Sequence, residues 1–551
     1  MKYLHHIVIL AACICAGILA SCRHSASVPA SFSEVDSQPT LYPDYNGVTV
    51  PSNIAPLNFA IEDEGDEYVT RFKVGTQEWV VGGQSVVIDA DDWHDMKQAA
   101  LASQAAISVE VFVEKGGQWS HLIPFAIKVS ADEIDPYISY RLIAPSYVTY
   151  ENLTINQRNL ENFDETLIYG NMINTDEKDG QCINCHSYQN YDPNTLQFHV
   201  RQYKGGTVIC HDGQIEKIDM KVEGSVSAGV YPTWHPTLPL IAYSTNHTGQ
   251  TFHTYDVQKI EVQDTYSDLI LYDVKAHEVM PLERDTNDLD CFPFWDPAGK
   301  YLYYCSAHYE QQDSNSTKEI DLITHYEDVH YNLYRRSFDA SKRSFGPREL
   351  VFDADTCSAT LPRISPDGRY LMFTLADFGV FHIWHNTSEL YMIDLQKSSF
   401  GGAQAQAGNQ PQAQASNQAQ AGNQNQAQAG KQDQAGKQDQ ASGKNANLSV
   451  RCLTELNSPD VESYHSWSSN GKWVIFSSRR YDGNFTRPFI AHFNEDGTFD
   501  RPFELPQSDP RYHQQFLRSY NIPEFMKGPV TVRPQELAKV ILGDSIKATK
   551  R

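Results

Sequence analysis

The sequence predicts a mostly β chain whose larger part is a β-propeller of five or six blades. Three observations predict it. The 551 residues include 30 Tyr and 25 Phe beside 32 Gly and 27 Pro, a balance that favours strands joined by tight turns. Short runs alternate apolar and polar side chains with the period of two that a half-buried strand needs. From about residue 201 onward, one strand–turn–strand pattern recurs at intervals of roughly 60–100 residues.

The recurring unit is explicit in four places. Tyr231-Pro232-Thr233-Trp234-His235-Pro236 leads into Leu240–Ser244. Phe292-Pro293-Phe294-Trp295-Asp296-Pro297-Ala298-Gly299-Lys300 leads into Tyr301–Ser306. Leu361-Pro362-Arg363-Ile364-Ser365-Pro366-Asp367-Gly368-Arg369 leads into Tyr370–Thr374, and Tyr464-His465-Ser466-Trp467-Ser468-Ser469-Asn470-Gly471-Lys472 leads into Trp473–Ser477. The Asp/Asn-Gly pairs supply the backbone angles of a tight turn. A further strand follows each copy, at Leu269–Asp273, Asn332–Arg336, Leu390–Asp394 and Phe489–Phe493. Four such units indicate propeller blades, and Thr207–Cys210 and Ile215–Met220 are candidates for additional strands. The copies resemble the PD40, or TolB-like, propeller repeat, in which Pro-x-Trp-Ser-Pro-Asp-Gly-Lys precedes an apolar strand. The resemblance covers roughly 231–505 and implies a propeller over 201–508.

The amino terminus predicts the compartment. An apolar run from Ile7 to Ala20 ends in Leu19-Ala20-Ser21-Cys22. This reads as a secretory signal over 1–21, too short for a membrane span. The ending resembles the bacterial lipobox, which implies lipidation of Cys22 and anchorage to the membrane by its acyl chains. Residues 22–47 read as a flexible tether.

Residues 48–130 read as a small β-domain. Strand candidates are Leu57–Ile61, Tyr68–Val74, Trp79–Ile88, Ile107–Val113 and Phe125–Val129, with Gly116-Gly117 marking a hairpin. A short helix is expected over Trp93–Leu101, with Asp91 or Asp92 near its N-cap. An immunoglobulin-like sandwich fits the size and strand count.

Residues 131–200 read as an irregular segment with one helix over Leu153–Phe163. Residues 401–446, almost only Gln, Ala, Gly and Asn, read as a disordered insert within one blade. Residues 509–551 form a tail, extended over Tyr520–Met526 and helical over Arg533–Leu542.

The sharpest motif is Cys182-Ile183-Asn184-Cys185-His186, the CxxCH spacing of a covalent haem c. Two thiols three residues apart reach the two vinyl groups of one porphyrin, and the adjacent His186 becomes the proximal iron ligand. A zinc site lacks a second ligand pair, a thioredoxin-like pair lacks a βαβ context, and a disulfide within the motif is strained. One motif implies one haem. Candidates for the sixth ligand are His199 first and Met526 second, with Met172, His211 and Met220 behind them. Cys291, Cys305 and Cys357, in strand-like contexts, read as buried free thiols. Asp89-Ala90-Asp91-Asp92 reads as a solvated turn, and His247, His253, His308, His325 and His330 as loop histidines.

Lipobox, sandwich, CxxCH and repeats together resemble bacterial TolB-like or cytochrome-c-like lipoproteins. That resemblance implies a periplasm-facing, lipid-anchored cytochrome with a propeller and brings no reaction with it. The CxxCH motif points to electron transfer with an envelope partner. Arg23-His24-Ser25, which lacks an acidic run, points to the periplasmic leaflet of the outer membrane. The alternative is a non-catalytic propeller scaffold that binds an envelope protein or a glycan, its haem structural or absent. A formal charge of −25 leaves no basic face for nucleic acid. No nucleophile elbow is present for the hydrolases that some propellers accompany.

Overall fold

The computed structural model describes residues 26–144, 152–173, 180–253, 258, 260–282, 285–400 and 445–551. The signal segment 1–21 and Cys22 lie outside the described residues, as does the Gln/Ala-rich insert apart from residues 445 and 446. The chain divides into two compact units, 1–133 with 503–516, and 134–502 with 517–551.

The first unit is built on a seven-stranded sheet. Its long strand Ile107–Lys115 pairs with Glu67–Val74 on one side and, in turn, with Gln118–His121 and Phe125–Ser130 on the other. Gly116-Gly117 therefore joins Ile107–Lys115 to Gln118–His121, not to Phe125–Ser130. Three short strands, Leu41–Tyr42, Phe59–Ile61 and Ser85–Val86, form a second sheet. The expected tether is corrected from residue 26 on: Ser33–Glu34 pairs with Gln118–His121, and Leu41, Tyr45 and Val48 are buried. Those apolar side chains, spaced among Ser and Pro, bury enough surface to hold the segment down.

The helix Ala90–Ser103 packs on the main sheet. Its N-cap is Asp89, whose carboxylate accepts from the Asp91 amide, so the acidic run is a cap. Trp93 is 1 % exposed and donates through Nε1 to the Ile54 carbonyl, 3.0 Å away. Trp93→Ala should cost about 3–5 kcal/mol. Chemical denaturation checks it, as a lower midpoint at unchanged slope for this unit.

The second unit consists, among the described residues, of six antiparallel meanders. The first runs Gln181–Gln189, Asp192–Gln202, Gly206–His211, Gln214–Asp219. The next four begin with Val230–Trp234, Asp288–Trp295, Ser358–Ile364 and Glu462–Trp467. In the last, Ser519–Met526 pairs with Tyr137–Ile143, followed outward by Thr154–Asn159 and Glu165–Gly170. The second and third meanders are linked by a single parallel bridge, Ser267 to Leu289. The leading strands touch one another in order around a ring, the last reaching back to the first. This radial arrangement is a β-propeller.

Two expectations for residues 131–200 are corrected. The segment is strand, not irregular, and Leu153–Phe163 holds the strand Thr154–Asn159 instead of a helix. Its alternation places Ile155 in a core while its backbone is paired on both edges. Polar Gln157 and Asn159, on the same face as Ile155, hid that period.

The hairpin turns follow the sequence. Gly299, Gly368 and Gly471 take φ of +65°, +74° and +68°, and Asp367 and Asn470 accept from the amides of Arg369 and Lys472 at 3.0 Å. Glu389–Asp394 pairs with Val450–Cys452, which puts the insert between two strands of one meander. The tail supplies the strand Ser519–Met526 and the helix Pro534–Leu542.

Candidate functional site

Each leading strand has the same irregularity. One residue takes a left-handed conformation where the pairing register shifts: Cys185, Tyr231, Phe292, Leu361, Tyr464 and Ile522, with φ between 48° and 55°. Such bulges re-aim side chains. Here all six bulge residues line one small cavity of about 30 Å³ at the centre of the ring. Two residues further along each strand come Ser187, Thr233, Phe294, Arg363, Ser466 and Glu524. All six line an adjoining cavity of about 350 Å³. The centre of the ring is therefore two adjoining tiers, each reached by every meander, with Arg363 and Glu524 lining both.

This places the CxxCH motif. Cys182–His186 lies within the strand Gln181–Gln189. Cys185-His186-Ser187-Tyr188 occupies the positions of Tyr464-His465-Ser466-Trp467 and of Tyr231-Pro232-Thr233-Trp234. Half of the motif is thus a sixth copy of the propeller repeat.

The surroundings do not fit a haem. Cys182 packs half-buried against an apolar cluster containing Phe198 and Met526, while Cys185 lines the central cavity. Burial pushes both thiols up, against the nearby Arg201 and Arg141 guanidiniums, which leaves them as unreactive thiols. His186 is 2 % exposed, and neither ring nitrogen makes a hydrogen bond of normal geometry. The open volume beside it, about 30 Å³, is on the order of a tenth of what even a small ligand requires. A porphyrin needs more, so no step is assigned to one.

The expected sixth ligands lie elsewhere. His199 is on the neighbouring strand, bonded through Nδ1 to Thr207 Oγ1 at 3.2 Å. Met526 fills the apolar cluster, Met220 another core, and His211 stacks on Trp234, whereas Met172 is exposed. None of His247, His253, His308, His325 or His330 lines either cavity. Among the described residues no group of three or more His, Cys, Asp or Glu is placed to hold a metal ion. Cys291, Cys305 and Cys357 are buried.

The upper tier carries the charges. Arg363 stacks over the Phe294 ring, its guanidinium carbon 4.8 Å from the centroid, and donates through Nη1 to the Pro362 carbonyl at 3.0 Å. Burial lowers its affinity for its proton, and Glu524 opposes that shift. Glu524 is pushed up to about 8 by burial, against the pull of Arg363. The six inward residues thus bring one cation, one acid whose neutral form burial favours, three hydroxyls and a phenyl ring. Tyr188, Tyr191, Trp234, Trp295, Asp296 and Ser469 also line the cavity. The sequence showed the strand copies but not this tier. Reading the third residue of each copy would have revealed it.

The buried titratable groups set a pH profile. His186, His199 and His465 are each lowered to about 3 by burial. Unfolded, each takes a proton near pH 6.5, so between these values the unfolded chain binds more protons. As pH drops through that window, stability is lost by up to about 1.4 kcal/mol per pH unit for each histidine. Glu524, raised to about 8, and Asp264 and Asp290, raised to about 6, act oppositely. Their contribution is full below about pH 4 and is lost as pH rises through the folded values. The two sets nearly cancel between about pH 4.3 and 6, so together they predict a maximum near pH 6.5 and a steep loss below about pH 4. Urea midpoints at pH 7, 5 and 3.5 check this; a midpoint at 3.5 no lower than at 5 contradicts neutral buried histidines.

Comparison with known proteins gives structural likeness only. No family model matches the chain, and no curated protein matches it. Prolyl oligopeptidase B from Galerina marginata aligns at 8 % identity and TM-score 0.33, over 73 % of this chain and 52 % of that one. This chain thus spans about half the length of that protein. The β-propeller domain of the Trilobed protease from Pyrococcus furiosus aligns at 10 % identity and TM-score 0.27, over 73 % and 94 %. An oligogalacturonate lyase in complex with manganese aligns at 9 % and 0.26, over 72 % and 85 %. The propeller assignment rests on the meander topology.

Proposed function

We propose that this protein is a lipid-anchored envelope protein that binds a small ligand in the upper tier of its propeller. The six meanders are read as six blades, closed by Ser519–Met526 against Tyr137–Ile143. The reading is supported by the 350 Å³ cavity into which every leading strand directs one side chain. Ligand sites are concave, of about 300–1,000 Å³, with a few convergent polar groups, and this is the better-formed cavity of the two at the ring centre. The lipobox at Cys22 supports the anchor, and the signal segment supports the periplasm-facing leaflet of the outer membrane. A Cys22→Ala chain released into the soluble periplasmic fraction would agree with the anchor.

Binding is tested by thermal shift of the full chain with neutral hexoses, sugar acids, amino acids and nucleoside monophosphates. At least one class should raise the midpoint, and Ser466→Trp, which fills the tier, should abolish the shift. No shift with any class overturns the reading. The competing reading, a monohaem electron-transfer protein, rests on Cys182–His186 and is separated by the haem measurement below.

A further inference from the structure

We infer that the upper tier takes a hydroxylated carboxylate of the sugar-acid class, its carboxylate on Arg363 and its hydroxyls among Ser187, Thr233, Ser466 and Glu524. The inference rests on the binding reading above and deepens it. Arg363 spends one N–H group on its own strand, on the Pro362 carbonyl. The guanidinium lies over the Phe294 ring, its carbon 4.8 Å from the centroid, and Arg363 lines the tier. A planar fork with spare donors matches a carboxylate in two parallel hydrogen bonds. Two carboxylates of the protein, Glu524 and Asp296, line the same tier, and neither forms an ion pair with Arg363 among the described residues. Burial favours the neutral form of Glu524, which offers a hydroxyl donor beside the guanidinium.

Hydroxyls line the rest of the tier among aromatic rings. Thr233 Oγ1 accepts from the Trp295 amide at 3.3 Å, and Ser466 Oγ donates to the Pro523 carbonyl at 2.8 Å. Each keeps further capacity for a ligand hydroxyl. A bare carboxylate would leave these groups unmatched, and a neutral sugar would leave Arg363 unmatched. A cavity of about 350 Å³ suits one sugar-sized molecule.

Isothermal titration of the full chain with glucuronate, glucose and acetate tests this. Glucuronate should bind at least about tenfold more tightly than either of the others, the effect of one hydrogen-bonded charge. Arg363→Gln should lose that advantage, and Arg363→Lys should recover only part of it, because the ammonium lacks the planar fork. Circular dichroism and the unfolding midpoint show whether the variants are folded, and the wild-type selectivity stands without them. Glucose binding as tightly as glucuronate overturns the anion assignment and leaves the binding reading intact. Acetate binding as tightly overturns the sugar class. Silence from all three, while another ligand class shifts the midpoint, overturns this inference alone. Silence from every class overturns the binding reading with it.

Discussion

Matured beside the cytochrome c machinery, the folded protein is expected to show no covalent haem on a denaturing gel. The CxxCH spacing predicts the opposite, so the expected effect is complete rather than partial. The physical reason is the place of Cys185. It is one of six bulge residues around a cavity of about 30 Å³, and interiors packed this closely do not open for a large planar group. A haem attached before folding would wedge the ring and keep Gln181–Gln189 from its neighbours. A stained band that disappears in the Cys182→Ala/Cys185→Ala variant would overturn the argument. If such a band came with cooperative unfolding intact, the reduced spectrum would then report the axial ligands. It would also restore electron transfer as the function.

Tyr520→Ala is expected to be among the most damaging single substitutions in the propeller unit. Tyr520 is fully buried and meets Tyr140 edge-on, ring centroids 4.8 Å apart. Its strand carries the closing contact of the ring, and its carbonyl accepts from Ser477 Oγ at 2.8 Å and Thr486 Oγ1 at 2.7 Å. Removing a large buried aromatic costs about 3–5 kcal/mol, a sizeable share of the roughly 5–15 kcal/mol that holds a typical domain. Thermal and urea unfolding measure it; a loss below about 1 kcal/mol would contradict the closing role. Truncation after Phe516 is the stronger form. It removes the strand that pairs with Tyr137–Ile143 and leaves three strands of the last blade without an inner partner. Limited proteolysis should then cut within 137–170, and resistance there would contradict the pairing.

Much of the propeller was legible because its signals are local. The turn chemistry at Asp367-Gly368 and Asn470-Gly471, and the alternating runs after it, act between residues a few positions apart. The strands at Thr207–Cys210 and Ile215–Met220 emerged for the same reason, as did the helix near the C-terminus. The N-terminal segment 26–47 was misjudged because its buried residues, Leu41, Pro43 and Tyr45, are few and lie among polar and exposed neighbours. Their burial comes from neighbours distant in sequence.

The sequence by itself determined the repeated hairpins, the strand-rich composition and the chemical content of each copy, including Arg363 and Glu524. Only the tertiary structure decided that Tyr137–Ile143 belongs beside Ser519–Met526, that Cys185 is the counterpart of Tyr231 and Tyr464, and that Arg363 and Glu524 share one tier. Hairpin turns are settled by short-range backbone preferences. Closing a ring of blades is settled by burial between strands some 380 residues apart, and no local preference encodes it. A motif read by spacing alone carries no record of how much room surrounds it, and at Cys182–His186 the room is what the fold decides.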